Sequence, residues 1–157
     1  MLTEQQKKRG VAMIKSAYTV LATVPGLPTV FYGDEVGLEG YKDPFNRRPY
    51  PWSDPNLELR EFFTKIGKIR ASHPAFRDAD FYLIELNRDI LIYERSKHGI
   101  CYYTVLNNSD KNIRIRLKRS CEFLISETCG KEIILSVGNA EVIYSDNGSI
   151  NIDVSFI

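Results

Sequence analysis

The residues best equipped for chemistry are crowded into one stretch. Asp34 and Glu35 follow Tyr32-Gly33, and Asp43, Arg47, Arg48 and Trp52 come soon after. Carboxylates and guanidinium groups make charge-assisted hydrogen bonds to paired hydroxyls, and an indole offers a broad flat face. The set suits gripping something polar and ring-shaped. Asp34 and Glu35 are adjacent, and successive side chains of an extended chain point to opposite sides. That argues against joint action on one bond. They read instead as partners for loop amides and basic groups, with Arg48 as the candidate cation. Tyr32 reads as a packing aromatic with its hydroxyl bonded. Asp43 and Arg47 leave two readings open, as ligand contacts or as an ion pair stiffening a proline-rich loop. For Trp52 an anchor packed under the following helix is preferred to a stacking platform.

These residues must be held by flanking elements. Pro28 to Tyr32 is apolar, β-branched and aromatic between turn signals, which predicts one fully buried strand. The glycines of Gly33-Asp34-Glu35-Val36-Gly37 then allow positive φ in a loop. Upstream, Thr3 is a candidate N-cap for a helix running to about Thr23. Its apolar stripe is Val11, Ile14, Tyr18 and Leu21, widened by Ala12, Met13, Ala17 and Val20. Downstream, Asp54 as N-cap and Pro55 as first residue open a second helix. It buries Leu59, Phe62, Phe63, Ile66 and Ile69 and ends near Ser72, because Pro74 disfavours helix at His73.

Beyond Pro74 the pattern shifts to short strands. Candidates are 81–86, 90–95, 100–106 and 113–117, with weaker ones at 122–125, 133–135, 141–144 and 150–154. Turn signals such as Asp146-Asn147-Gly148 divide them. Regular short strands imply an antiparallel sandwich. The strand tyrosines Tyr82, Tyr93, Tyr102, Tyr103 and Tyr144 read as core.

Composition narrows the function classes. The 157 residues carry a net charge of +1, which gives no bias toward nucleic acid or an anionic membrane. No apolar stretch reaches the length of a membrane span, and no apolar signal core opens the sequence. Cys101, Cys121 and Cys129 are odd in number and lack metal-ligand spacing, so reduced thiols in a cytoplasmic setting are expected. His73 and His98 form no ligand motif. No cofactor or metal is expected, and no carboxylate-rich calcium loop appears.

The segments Pro25-Gly26-Leu27-Pro28 through Tyr32-Gly33-Asp34-Glu35-Val36-Gly37, and Asp43-Pro44 through Arg47-Arg48-Pro49-Tyr50-Pro51-Trp52, together resemble the α-amylase clan of glycoside hydrolases. The neopullulanase and cyclomaltodextrinase branch matches best. The resemblance implies an α+β fragment. Residues 1–73 would be a helix–strand–helix remnant of a (β/α)8 barrel, and residues 74–157 a C-terminal antiparallel β-sandwich. It implies the C-terminal portion of a retaining α-glucan hydrolase whose full-length parent acts on an α-glucan oligosaccharide, with Asp43 and Arg47 touching glucosyl hydroxyls. No segment matches the family's catalytic motifs, so no catalytic residue is assigned and inactivity alone is expected. A stand-alone carbohydrate-binding or interaction sandwich is the alternative. Unpaired edges on strand 28–32 and the uncovered stripe of the first helix would favour a homodimer through the N-terminal half.

Overall fold

The computed structural model describes residues 3–40 and 42–157. Helix α1 spans Glu4–Thr23. Thr3 caps it with a reciprocal box: the Gln6 amide donates to Thr3 Oγ1 at 3.2 Å, and the Thr3 amide donates to Gln6 Oε1 at 2.8 Å. Helix α2 spans Leu57–Ser72 and buries Leu59, Phe63, Ile66 and Ile69. Its cap is Asn56, two residues after the expected Asp54. The Asn56 carbonyl oxygen of the side chain accepts from the Leu59 amide at 3.1 Å, so Asn56 does the capping that Asp54 was expected to do. A single helical turn, α3, covers Ala75–Asp78.

Seven antiparallel strands follow: β1 Asp80–Leu86, β2 Ile90–Lys97, β3 Ile100–Asn107, β4 Ile113–Phe123, β5 Thr128–Leu135, β6 Ala140–Ser145 and β7 Ile152–Phe156. Their order is β1-β2-β3-β6-β4-β5, with β7 also on β4. Strand β4 makes the sandwich from one continuous sheet. Its first half, Ile113 to Leu117, pairs with β7, whereas Glu122 and Phe123 pair with β6. The register with β5 slips between Arg116 and Cys121, as a strand crossing from one layer to the other requires. The two segments expected at 113–117 and 122–125 thus belong largely to one strand.

Alternation assigns each face a role. Ile90, Ile92, Tyr103 and Val105 point into the core between the layers, where they meet Ile113, Ile115, Phe123 and Ile143. Tyr93, Arg95, Tyr102 and Thr104 take the opposite face, under the helices. There Ala22, Ile66, Ile69 and Phe76 pack with Tyr102 and Val142.

Three expectations fail on packing. Residues 28–32 form no strand, and Val30, Phe31 and Tyr32 are exposed. A strand exists through its ladder, and among the described residues no other strand lies alongside this segment. Helix α1 buries Ser16, Thr19, Ala22 and Thr23 rather than the apolar stripe, and Met13 and Leu21 are exposed. The hydroxyls tolerate this face because each is bonded: Ser16 to the Gly138 carbonyl, Thr19 to that of Lys15 and Thr23 to that of Thr19. Tyr82 is exposed on the edge strand β1, whereas Tyr93, Tyr102 and Tyr103 are buried as expected.

Candidate functional site

Residues 27–40 and 42–56 belong to one long loop between α1 and α2, closed at the far end where the Asn56 amide donates to the Val36 carbonyl at 3.1 Å. Its first half is organised by a 3-10 turn, Asp34–Val36, between two left-handed glycines, Gly33 with φ 93° and Gly37 with φ 71°. The Gly33 amide donates to Glu35 Oε2 at 2.9 Å, so Glu35 serves a loop amide as expected. The Tyr32 hydroxyl donates to the Arg48 carbonyl at 3.0 Å and ties the two halves of the loop together. Arg48 contributes its backbone there. Its guanidinium makes no ion pair with Asp34 or Glu35, against expectation. Both carboxylates sit on a turn anchored by its own backbone, which needs no cation. Partial burial pushes the Asp34 carboxyl above the usual carboxylate range, and the neighbouring Glu35 charge adds to this.

The second half carries Asp43 and Arg47. Turn geometry, with the Arg47 amide donating to the Pro44 carbonyl at 3.1 Å, brings the two side chains together. Arg47 Nε lies 3.0 Å from Asp43 Oδ1, and the side chains are 74% and 62% exposed. The pair is therefore preformed and open to solvent. Trp52 is 84% exposed and stacks at a tilt on Tyr50, ring centroids 4.6 Å apart. It is not an anchor under α2. Leu59 of α2 and Val36 of the 3-10 turn are the buried apolar side chains there.

Two arginines absent from the sequence reading hold the root of the loop. From α2, Arg70 donates through Nη1 to the Ala22 carbonyl and through Nη2 to that of Gly26 at 2.6 Å. From β2, Arg95 donates to the Thr23 carbonyl at 2.8 Å. Helix α1 has no basic residue in its own last turn, so its negative end is met entirely from outside. The available signal was the parity of Ile90 to Arg95, which sets Arg95 on the face of Tyr93 and away from Ile90 and Ile92.

The site has donors, acceptors and aromatic faces, as sugar contacts require. Asp34 and Glu35 are neighbours on one turn, one serving an amide and one with a raised pKa, and the arrangement does not resemble two carboxylates flanking a bond.

No family model matches the chain. A cyclomaltodextrinase of Thermoanaerobacter pseudethanolicus is 31% identical over 129 residues, 81% of this chain and 21% of that enzyme. An amylopullulanase of Thermoanaerobacterium thermosulfurigenes is 28% identical over 97% of this chain and 8% of its own length. The solved α-amylase of Anoxybacillus superposes with a TM-score of 0.77 at 26% identity, over 88% of this chain and 33% of that one. The chain is similar to the C-terminal part of α-amylase-family glycoside hydrolases. It spans less than a quarter of the length of the curated relatives it matches, 23% in the case of a maltogenic α-amylase of Bacillus acidopullulyticus. The antiparallel sandwich is the one expected for that family's C-terminal domain.

Proposed function

We propose that this chain is the C-terminal portion of an α-glucan-hydrolysing enzyme with a retaining mechanism, of the neopullulanase or cyclomaltodextrinase type. The supporting observation is the similarity to an amylopullulanase over 97% of this chain and to a cyclomaltodextrinase over 81% of it. In this reading residues 1–73 belong with a catalytic barrel and residues 74–157 form the domain after it. Asp43 and Arg47 hold glucosyl hydroxyls at the mouth of the cleft. A preformed, solvent-open ion pair loses little by exchanging part of its hydration for sugar hydroxyls, and each group keeps charge-assisted bonds. The nucleophile and acid come from elsewhere in the enzyme, so the chain alone is inactive.

The experiment is reducing-sugar release from maltotriose, cyclodextrin and pullulan by the purified chain, beside maltotriose titration followed by loop resonances. The expected result is no turnover, with millimolar-range perturbation of residues 43–52 that Asp43→Ala and Arg47→Ala both weaken. Turnover abolished by Asp34→Asn or Glu35→Gln would overturn the reading. The binding-module alternative draws nothing from Tyr93, Tyr102 and Tyr103, which are buried, and is left with Tyr82 as the one strongly exposed strand tyrosine of that set.

A further inference from the structure

Arg95 is 0% exposed, and among the described residues no carboxylate pairs with it. Carbonyls surround it instead. Nη1 donates to Thr23 at 2.8 Å and to Phe76 at 3.2 Å, and Nη2 donates to Ala79 at 2.9 Å and to Ala75 at 3.2 Å. One fork therefore joins three pieces of chain: the strand that carries it, the end of α1, and the turn of α3. Around the same point the Tyr93 hydroxyl bonds Thr23 Oγ1, and Thr104 Oγ1 donates to Thr23 Oγ1 at 3.1 Å. Thr23 is thus held by side chains of both β2 and β3.

The apolar contacts nearby, Ala22, Ile66, Ile69 and Phe76 against Tyr102 and Val142, supply adhesion between helices and sheet. Such contacts are non-directional and leave the layers free to slide. Hydrogen bonds weaken steeply with angle, so the fork sets the register. A lysine cannot replace it, because one ammonium does not reproduce a planar array of donors.

We propose that Arg95 is a positioning residue: acting from the sheet through Thr23, it fixes where the loop carrying Asp43 and Arg47 leaves α1. The sugar role of that loop rests on the reading above, whereas the positioning does not. Sheet and loop are thereby one mechanical unit, and the sandwich supports the substrate loop without touching substrate.

The chain carries its own reporters. Trp52 in the loop is its only tryptophan. Cys129 on β5 is exposed, while Cys101 and Cys121 are buried and burial pushes both of those thiols up, which slows their alkylation. Time-resolved energy transfer from Trp52 to a naphthalene-sulfonate label on Cys129 reads the loop-to-sheet distance in the whole chain. Wild type should give one narrow distribution. Arg95→Met should broaden it at a temperature where β3 amides remain protected from exchange, and Arg95→Lys should leave it broad. A narrow, unshifted distribution in folded Arg95→Met, or full recovery with Arg95→Lys, would overturn the proposal. If Arg95→Met does not fold, Tyr93→Phe decides: it removes one bond to Thr23 and should broaden the distribution less, and no change would count against the proposal. Absence of maltotriose binding by wild type would sink the sugar reading and leave the distance result standing.

Discussion

Asp43 and Arg47 meet four residues apart on one turn, Nε to Oδ1 3.0 Å, with most of both side chains in water. Exposed pairs of this kind contribute about 0.2–1 kcal/mol. Asp43→Ala or Arg47→Ala should therefore move Tm by no more than a few degrees, on the usual scale for a domain of this size, while weakening maltotriose binding. Calorimetry beside an NMR titration checks it. A large fall in Tm with sugar binding unchanged would show that the pair only stiffens the loop.

Gly33 has little room for a side chain. A Cβ there would lie 2.7 Å from Leu38 Cβ, and φ is +93°. Gly33→Ala should cost about 1–3 kcal/mol from backbone strain, more if Leu38 cannot withdraw. Urea unfolding should show a lower midpoint with an unchanged slope. Gly26→Ala has open space around its Cβ but also a positive φ, so its loss should be the smaller of the two.

Glu141 is buried beneath the turn after β4. Its carboxylate accepts from the amides of Ile125 at 2.7 Å, Val142 at 2.9 Å and Ser126 at 3.1 Å. Burial nevertheless raises its pKa, outweighing those bonds. A raised folded pKa means that the native state holds the proton longer than the unfolded chain. The stability this contributes is complete below the ordinary glutamate value and is lost as pH rises through the raised one. Wild-type stability should therefore fall relative to that of Glu141→Gln as pH climbs through that window. Melting curves of both proteins across mildly acidic to neutral pH test the sign. A relative rise of wild type would mean that the three amides win over burial.

Leu27, Phe31, Phe45 and Trp52 leave apolar surface uncovered on the loop. Monomers seldom expose large contiguous apolar patches, and a closed dimer is the simplest way for copies to cover one another. The isolated chain should self-associate through this half at micromolar concentration, and Leu27→Glu with Phe31→Glu should suppress it. Light scattering coupled to size exclusion decides. A monomer throughout would show that the loop needs no cover.

What the sequence made legible was local. The Thr3 cap, the apolar face of α2, the end of that helix before Pro74 and the alternation of Ile90 to Arg95 all depend on neighbours in the chain. What it hid was relational. Pro28 to Tyr32 has the composition of a strand but lacks a ladder partner. Ser16, Thr19 and Thr23 look like the wet side of α1, yet they face a sheet whose covering surface is itself hydroxyl-rich. Trp52 has the composition of an anchor under α2, yet it is 84% exposed. At the site, Asp43 with Arg47 was readable from spacing four apart, whereas Arg95 serves Thr23, 72 positions upstream.

Strand β4 has three neighbours, and they become available at different moments. Its hairpin with β5 needs only the short turn after Phe123. Its pairing with β7 waits for Ile152 to Phe156. During synthesis, then, the first half of β4 emerges with one edge bare and keeps it bare while β5 and β6 are made. Closure of that layer has to wait for β7, and pairings over such separations form slowly. Until then Ile113, Ile115 and Leu117 present an unguarded edge, and a nascent chain stalled before residue 152 should be a substrate for holdase chaperones that the completed chain is not.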